Sequence, residues 1–154
     1  MKKITLLPVL AMLISCSLFT SSCKKDKATK NTTMYNIVAT LSGAQEVPAV
    51  TTNGTGTVTG TYDASTNTLT YNVSWSNLSG NATLAHFHGP AAAGTNAGVV
   101  IPFTLTAGAT SVSGTTTLTD AQETDFLNGL WYANVHTAAH GSGEIRGQVT
   151  ATLQ

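Results

Sequence analysis

The sequence predicts an all-β domain, a sandwich or barrel of about eight strands with one short helix. After residue 33 the composition changes to threonine, glycine, valine, alanine and asparagine with few charges, which is typical of short strands separated by turns. Residues 69–75 alternate apolar with polar side chains, as expected for an antiparallel strand with one buried face. The strand spacing fits a sandwich or barrel, and roughly 120 residues can bury a core sufficient to fold alone.

The predicted strands are bounded by glycine, asparagine and proline. Residues 63–67 favour a hairpin turn between the second and third strands. A second hairpin is predicted between the fifth and sixth. Pro48 marks an irregular edge segment, because proline cannot donate to a ladder. The predicted strands are residues 35–41, 55–62, 69–75, 83–88, 99–105, 111–118, 131–137 and 144–152.

One short helix is predicted after the sixth strand. Asp120-Ala121-Gln122-Glu123 matches a capping box, with the first residue as N-cap. Apolar residues follow at 126 and 127, and Gly129 is expected to end the helix.

Residues 1–22 are predicted to be a secretory signal peptide. Lys2 and Lys3 precede an apolar run over residues 4–19 that is too short and too interrupted for a stable transmembrane helix. Small residues then precede Cys23, an arrangement that resembles the lipobox of bacterial lipoproteins. Cys16 also fits this pattern, although apolar chain continues beyond it, and a simple secreted protein is a further alternative.

On that resemblance, Cys23 becomes the lipidated first residue of the mature lipoprotein. Residues 23–33 are then a lysine-rich tether, and residues 34–154 form the folded domain. The expected location is the cell envelope, with the exported protein held at a membrane by its lipid anchor.

The positions of the cysteines and the distribution of charge exclude several functions. Both cysteines belong to the leader or its end, so the domain has no disulfide, thiolate metal site or cysteine catalysis. From residue 31 onward there are one basic and six acidic side chains, a formal charge of −5. Nucleic-acid binding is excluded because it requires a basic surface. The expected partners are the membrane, through the lipid, and an unidentified protein or small ligand.

All four histidines lie in two short segments. His86 and His88 share one face of a strand, and two adjacent imidazoles are a common half of a copper or zinc site. His136 is a candidate third ligand. His140 is a further candidate, although its glycine-bounded loop favours exposure to solvent. The alternative is that the histidines are structural, with the ring of His136 held by Asn134.

Arg146 is the only cation of the predicted domain, and it is expected to form a structural ion pair. Glu144, two residues away on the same strand face, and Glu46 are the candidate partners. A planar guanidinium that bridges two segments would fix strand register. We find no catalytic carboxylate pair and no nucleophile elbow.

Three segments together carry a family resemblance. They are residues 39–48 (ATLSGAQEVP), residues 85–91 (AHFHGPA), and residues 131–137 (WYANVHT) with 143–148 (GEIRGQ). These motifs resemble the CHRD domain, named for the animal protein chordin and found also in bacterial secreted proteins. The resemblance covers residues 35 to 154. It implies an immunoglobulin-like fold distantly similar to copper/zinc superoxide dismutase, in a family without a settled biochemical role.

The similarity to dismutase is limited at the level of residues. His86 and His88 look like the paired copper ligands of that enzyme. The chain lacks a histidine-rich zinc loop, an intradomain disulfide and a clear guiding arginine, which argues against dismutase activity. We therefore predict a non-catalytic binding or interaction module, with His86, His88 and His136 as a polar site for copper or zinc. A dismutase-like redox enzyme and a purely structural surface domain are the alternatives.

Overall fold

A computed structural model of the chain describes residues 33–154, so the predicted signal peptide and both cysteines lie outside the described residues. The described part contains nine strands, one α-helix and a 3₁₀ turn at Gly43–Gln45. The all-β class with one short helix is confirmed. The elements are β1 (Met34–Ser42), β2 (Thr55–Asp63), β3 (Thr68–Ser76), β4 (Ala82–His88), β5 (Val99–Pro102), β6 (Ser111–Thr117), α1 (Asp120–Leu127), β7 (Tyr132–Thr137), β8 (Ile145–Gln148) and β9 (Thr150–Leu153).

The strands form one curled antiparallel sheet in the order β5-β4-β7-β8-β1-β2-β3-β6, with β9 also paired to β1. The last predicted strand, residues 144–152, is divided into β8 and β9 at Val149. This residue is buried and donates its backbone N–H to the Trp131 carbonyl at 2.9 Å. Before the break β8 pairs with both β7 and β1, whereas β9 pairs with β1, so the chain leaves β7 at this point.

The hairpin between β2 and β3 is confirmed. The Asp63 carboxylate accepts hydrogen bonds from the backbone N–H and the hydroxyl of Ser65, at 2.8 and 2.6 Å. Asn67 adopts φ of 55°, a left-handed conformation that asparagine tolerates better than most residues. Local turn chemistry was therefore sufficient to predict this pairing.

The second predicted hairpin is wrong. β5 pairs with β4 and β6 pairs with β3, at opposite edges of the sheet. The reason is Phe103, which follows β5 and donates its backbone N–H to the Ala85 carbonyl at 3.0 Å. Its ring lies 4.9 Å from that of Phe87 and 5.0 Å from that of Tyr71. Burial of this ring carries the chain across the core to the other edge.

The helix begins with a capping box one residue earlier than predicted. Thr119 is the N-cap, and its hydroxyl accepts the backbone N–H of Gln122 at 3.2 Å. The Gln122 side-chain oxygen accepts the backbone N–H of Thr119 at 2.9 Å. Both registers satisfy the sequence rule. In the helix that forms, Phe126 is buried in the core and lies 5.2 Å from the Trp131 ring.

The core consists of side chains from alternate strand positions together with Phe126 and Trp131. All of its buried members lie between Ile37 and Val149, so residues 33–154 enclose a core of their own. Across this part of the chain, the structure has no helix that is both long and apolar enough to cross a bilayer.

Candidate metal centre

Strands β4 and β7 present three histidines on the sheet face opposite the core. Phe87, between His86 and His88, is fully buried, and the alternation of a strand turns both histidines the other way. On β7, Ala133 and Val135 face the core, which turns His136 to the outer face. The sequence prediction that His86 and His88 share a face is confirmed.

The three imidazoles converge. One ring nitrogen from each of His86, His88 and His136 lies within 4.8 Å of the others. The His86 ring centroid is 5.2 Å from that of His88 and 5.0 Å from that of His136, and both contacts are edge-to-face. Strand pairing explains the approach, because His86 pairs with Asn134 and Leu84 with His136 in the antiparallel register. His136 thus joins two histidines that precede it by 48 and 50 positions in the sequence.

Backbone carbonyls fix the tautomers of two of the rings. Nδ1 of His88 lies 3.0 Å from the Ala97 carbonyl, and Nδ1 of His136 lies 3.0 Å from the Gly141 carbonyl. Because a carbonyl oxygen only accepts, each Nδ1 must carry the proton. Nε2 then holds the lone pair in the neutral ring. Metal-binding histidines are commonly oriented by such hydrogen bonds on the other ring nitrogen.

Three further ring nitrogens are buried without a hydrogen-bond partner in the structure. They are Nδ1 of His86, Nε2 of His88 and Nε2 of His136. A buried polar atom without a hydrogen bond costs free energy, so three such atoms in one cluster require an explanation. Lone pairs that converge from three imidazoles match the donor set of copper or zinc ions.

The surroundings keep the cluster neutral. Burial lowers the pKa of His86 to about 4, with further contributions from His136 and His88. Burial also lowers the pKa of His88 and the pKa of His136, against the opposing effect of their carbonyl hydrogen bonds. Neutral imidazole is the form that binds metal ions, so the rings are in the binding form at neutral pH.

Tyr132 and Arg146 lie next to the cluster on the same face. The Tyr132 ring is stacked on His88, with centroids 4.8 Å apart and planes 2° from parallel. The guanidinium carbon of Arg146 lies 3.4 Å from the centroid of the Tyr132 ring, a cation–π contact. Tyr132 therefore connects a candidate ligand to the only basic side chain of residues 33–154.

Arg146 contacts a loop rather than the carboxylates expected from the sequence. Its two terminal nitrogens donate to Asn96 Oδ1 at 3.0 Å and to the Thr95 carbonyl at 2.7 Å. Within residues 33–154, neither candidate glutamate forms a hydrogen bond or close ion pair with Arg146. The loop between β4 and β5 lies over this face of the sheet and supplies neutral acceptors, which strand spacing alone does not indicate.

Glu46 instead accepts hydrogen bonds from Asn134, the residue between Tyr132 and His136 on the outer face of β7. The Asn134 amide nitrogen lies 2.9 and 3.1 Å from the two carboxylate oxygens. Burial raises the pKa of Glu46 to about 7, although the charge of Arg146 and the amide hydrogen bond lower it. Gly143 allows this packing, since a Cβ there would lie 2.6 Å from the amide nitrogen.

Glu144 forms a separate polar cluster at the end of β7. Four donors bind its carboxylate at 2.6 to 2.7 Å: the hydroxyls of Thr52, Ser79 and Thr137, and the backbone N–H of Ser79. Burial alone would raise the pKa of Glu144, but these hydrogen bonds outweigh it and lower the pKa to about 2. Glu144 joins three chain segments, which is a structural role.

His140 lies outside the three-histidine cluster. The backbone of His140 forms hydrogen bonds with the backbone of Thr137 in the turn after β7. The same turn places the Gly141 carbonyl within hydrogen-bond distance of His136. The period of two along a strand placed Tyr132 on the same face as Asn134 and His136, but it did not predict the contacts of Tyr132 with His88 and Arg146. The loop residues Thr95, Asn96 and Ala97 were missed as neighbours of the site. No sequence signal indicated the contacts of the loop.

These observations define a class of protein, an all-β module with three converging histidines on the outer face of a curled antiparallel sheet. The family model for the CHRD domain matches residues 37–149 of the chain. The chain belongs to the CHRD domain family. No curated protein and no solved structure matches the chain significantly.

Proposed function

We propose that this CHRD domain is a non-catalytic metal-binding module whose three-histidine cluster holds one copper or zinc ion. The proposal is carried by the convergence of His86, His88 and His136, since one ring nitrogen of each lies within 4.8 Å of the others. Each ring also has one buried nitrogen without a hydrogen-bond partner. Carbonyl hydrogen bonds to the opposite nitrogens of two rings support it, because they orient the lone pairs inward. A bound ion would give the converging nitrogens a shared partner.

The dismutase-like alternative gains no support from Arg146. A guiding arginine must reach the anion that approaches the metal, whereas this guanidinium is 1% exposed and donates to Thr95 and Asn96. We therefore propose binding rather than redox catalysis. The purely structural alternative predicts that the histidines only pack against one another.

A metal titration tests the proposal. Residues 24–154, which retain every described residue, are expected to bind one equivalent of copper or zinc per chain in calorimetry. The double variant His86→Ala/His88→Ala should lose this binding, because one remaining imidazole cannot hold the ion. The matched control His140→Ala removes a histidine outside the cluster and should bind as the wild type does. Absence of stoichiometric binding by the folded wild type would leave only the structural alternative.

We also propose that the chain is an exported lipoprotein of the cell envelope, with lipid attached at Cys23. The proposal rests on the small residues before Cys23 and the polar, lysine-rich sequence after it. The lysine-rich tether would separate the acidic domain from the membrane surface.

Mass spectrometry of the membrane fraction tests the anchor. The wild type should carry acyl chains on an N-terminal cysteine at position 23, and Cys23→Ala should release the protein from the membrane fraction. Cys16→Ala is the matched control and should remain lipidated. If only the Cys16 variant lost its lipid, Cys16 rather than Cys23 would be the lipidated residue.

A further inference from the structure

The donor set of the cluster carries no negative charge. Among residues 33–154, the group close enough to hold an ion consists of His86, His88 and His136, without a carboxylate. Neutral imidazoles cancel none of the charge of a bound cation, so a divalent ion keeps two positive charges at the site and a monovalent ion keeps one. Uncompensated charge is costly where water is excluded: His136 is buried, His86 and His88 are half-buried, and one ring nitrogen of each histidine is fully buried. The donors therefore favour the ion of lower charge.

The number of donors points the same way. Protein zinc is almost always four-coordinate, and copper(II) prefers tetragonal arrangements of nitrogen and oxygen ligands. Three imidazole nitrogens complete either arrangement only when water or another ligand is added, as in zinc sites built from three histidines and a water. Copper(I) has a filled d shell, imposes no such geometry and is stable with three nitrogen donors.

Arg146 adds a permanent positive charge behind one ligand. The sheet order β4-β7-β8 places Tyr132 between His88 and Arg146, and the stacked contacts on Tyr132 join the two side chains. A guanidinium stays charged at any relevant pH, and here its hydrogen bonds go to neutral oxygens.

Glu46 is the opposing charge on this face. It binds Asn134, which pairs with His86 on one side and with Arg146 on the other. The Glu46 carboxylate therefore lies beside the row of the sheet that contains His86 and Arg146. The three-histidine cluster thus has one neighbour with a fixed positive charge, Arg146, and one neighbour with a negative charge that is lost on protonation, Glu46.

We propose that the three-histidine cluster selects copper(I) over copper(II), and that the Arg146 charge, transmitted past Tyr132 to His88, strengthens this selection. The inference rests on the proposed metal-binding function. In the coupled redox step, copper(II) gains one electron from an external reductant such as ascorbate, and no bond of the protein is formed or broken. Arg146 acts through its field and does not touch the ion.

The reduction potential of the copper-loaded chain of residues 24–154 tests the inference. At pH 8, where Glu46 is ionised, the potential should exceed that of copper in free imidazole solution. Arg146→Gln should lower the ratio of copper(I) to copper(II) affinity about tenfold, which is about 59 mV for a one-electron couple. Glu46→Gln should raise the potential, because it removes the opposing charge. Asp120→Asn, an exposed charge change on α1, is the control and should not alter it.

The outcomes separate the two proposals. A wild-type chain that binds one copper but has a potential at or below the imidazole reference overturns the copper(I) preference and leaves the metal site standing. An unchanged potential in a folded Arg146→Gln variant removes the role of Arg146. If that variant does not fold, the Glu46→Gln measurement decides whether charges on this face act on the ion. Failure of the wild type to bind any copper or zinc removes the metal site and the inference together.

Discussion

Replacing Glu144 with alanine is expected to lower the free energy of unfolding by about 3 to 5 kcal/mol. The carboxylate is fully buried and accepts four hydrogen bonds from Thr52, Ser79 and Thr137, so its removal takes away the acceptor that these buried donors share. Domains of this size are stable by about 5 to 15 kcal/mol, so the loss is a large fraction. Urea unfolding followed by tryptophan fluorescence measures it. Ser76→Ala, which breaks one exposed hydroxyl contact with Thr55, is the control and should cost far less.

The same carboxylate gives a defined pH dependence. Its pKa is about 2 in the folded chain against an ordinary value of 4.5, so the folded state binds this proton more weakly than the unfolded state. The stabilisation is therefore fully present above about pH 4.5 and is lost as the pH falls toward 2. We expect the stability difference between wild type and Glu144→Gln to shrink by about 2 to 3 kcal/mol over that range.

Comparing the wild type with Glu144→Gln also removes the opposing effect of Glu46 on the free energy of unfolding. The raised pKa of Glu46 stabilises the folded state below pH 4.5, and this contribution declines as the pH rises toward 7. Both proteins contain Glu46, so its effect cancels in the difference. A constant difference between the two proteins from pH 7 to pH 3 would contradict the role assigned to Glu144.

Saturation with metal is expected to raise the melting temperature of the domain by roughly 10 °C. An ion at about one hundred times its dissociation constant stabilises a folded protein by about 2.7 kcal/mol, and each kcal/mol shifts the melting temperature of a domain this size by several degrees. Differential scanning calorimetry with and without copper or zinc measures the shift. The increase should grow with metal concentration, as mass action requires.

His88→Phe is the sharpest control for this shift. A phenyl ring can keep the stacking on Tyr132, which in the wild type has centroids 4.8 Å apart, but it supplies no lone pair. The variant should therefore fold and show a much smaller metal-dependent shift. A full shift in this variant would show that metal stabilises the protein at a place other than the cluster.

The sequence by itself determined the class of the fold and the face that bears the site. Alternation along β3 predicted a half-buried antiparallel strand, and the turn residues after Asp63 predicted its hairpin with β2. The same period of two placed His86 and His88 together and paired His136 with Asn134 and Tyr132. These features are local, because a strand fixes where successive side chains point whatever its neighbours are.

Only the tertiary structure decided which strands are neighbours and therefore which side chains meet. The predicted hairpin of β5 and β6 was wrong because burial of Phe103 carries the chain across the core. Convergence of His136 with His86 depends on the pairing of β7 with β4, between segments about 50 residues apart. Arg146 took neutral partners from the loop after β4, since that loop lies over the face and Glu46 binds Asn134. Long-range pairing and loop placement depend on the packing of the whole chain, which the period of a single strand does not contain.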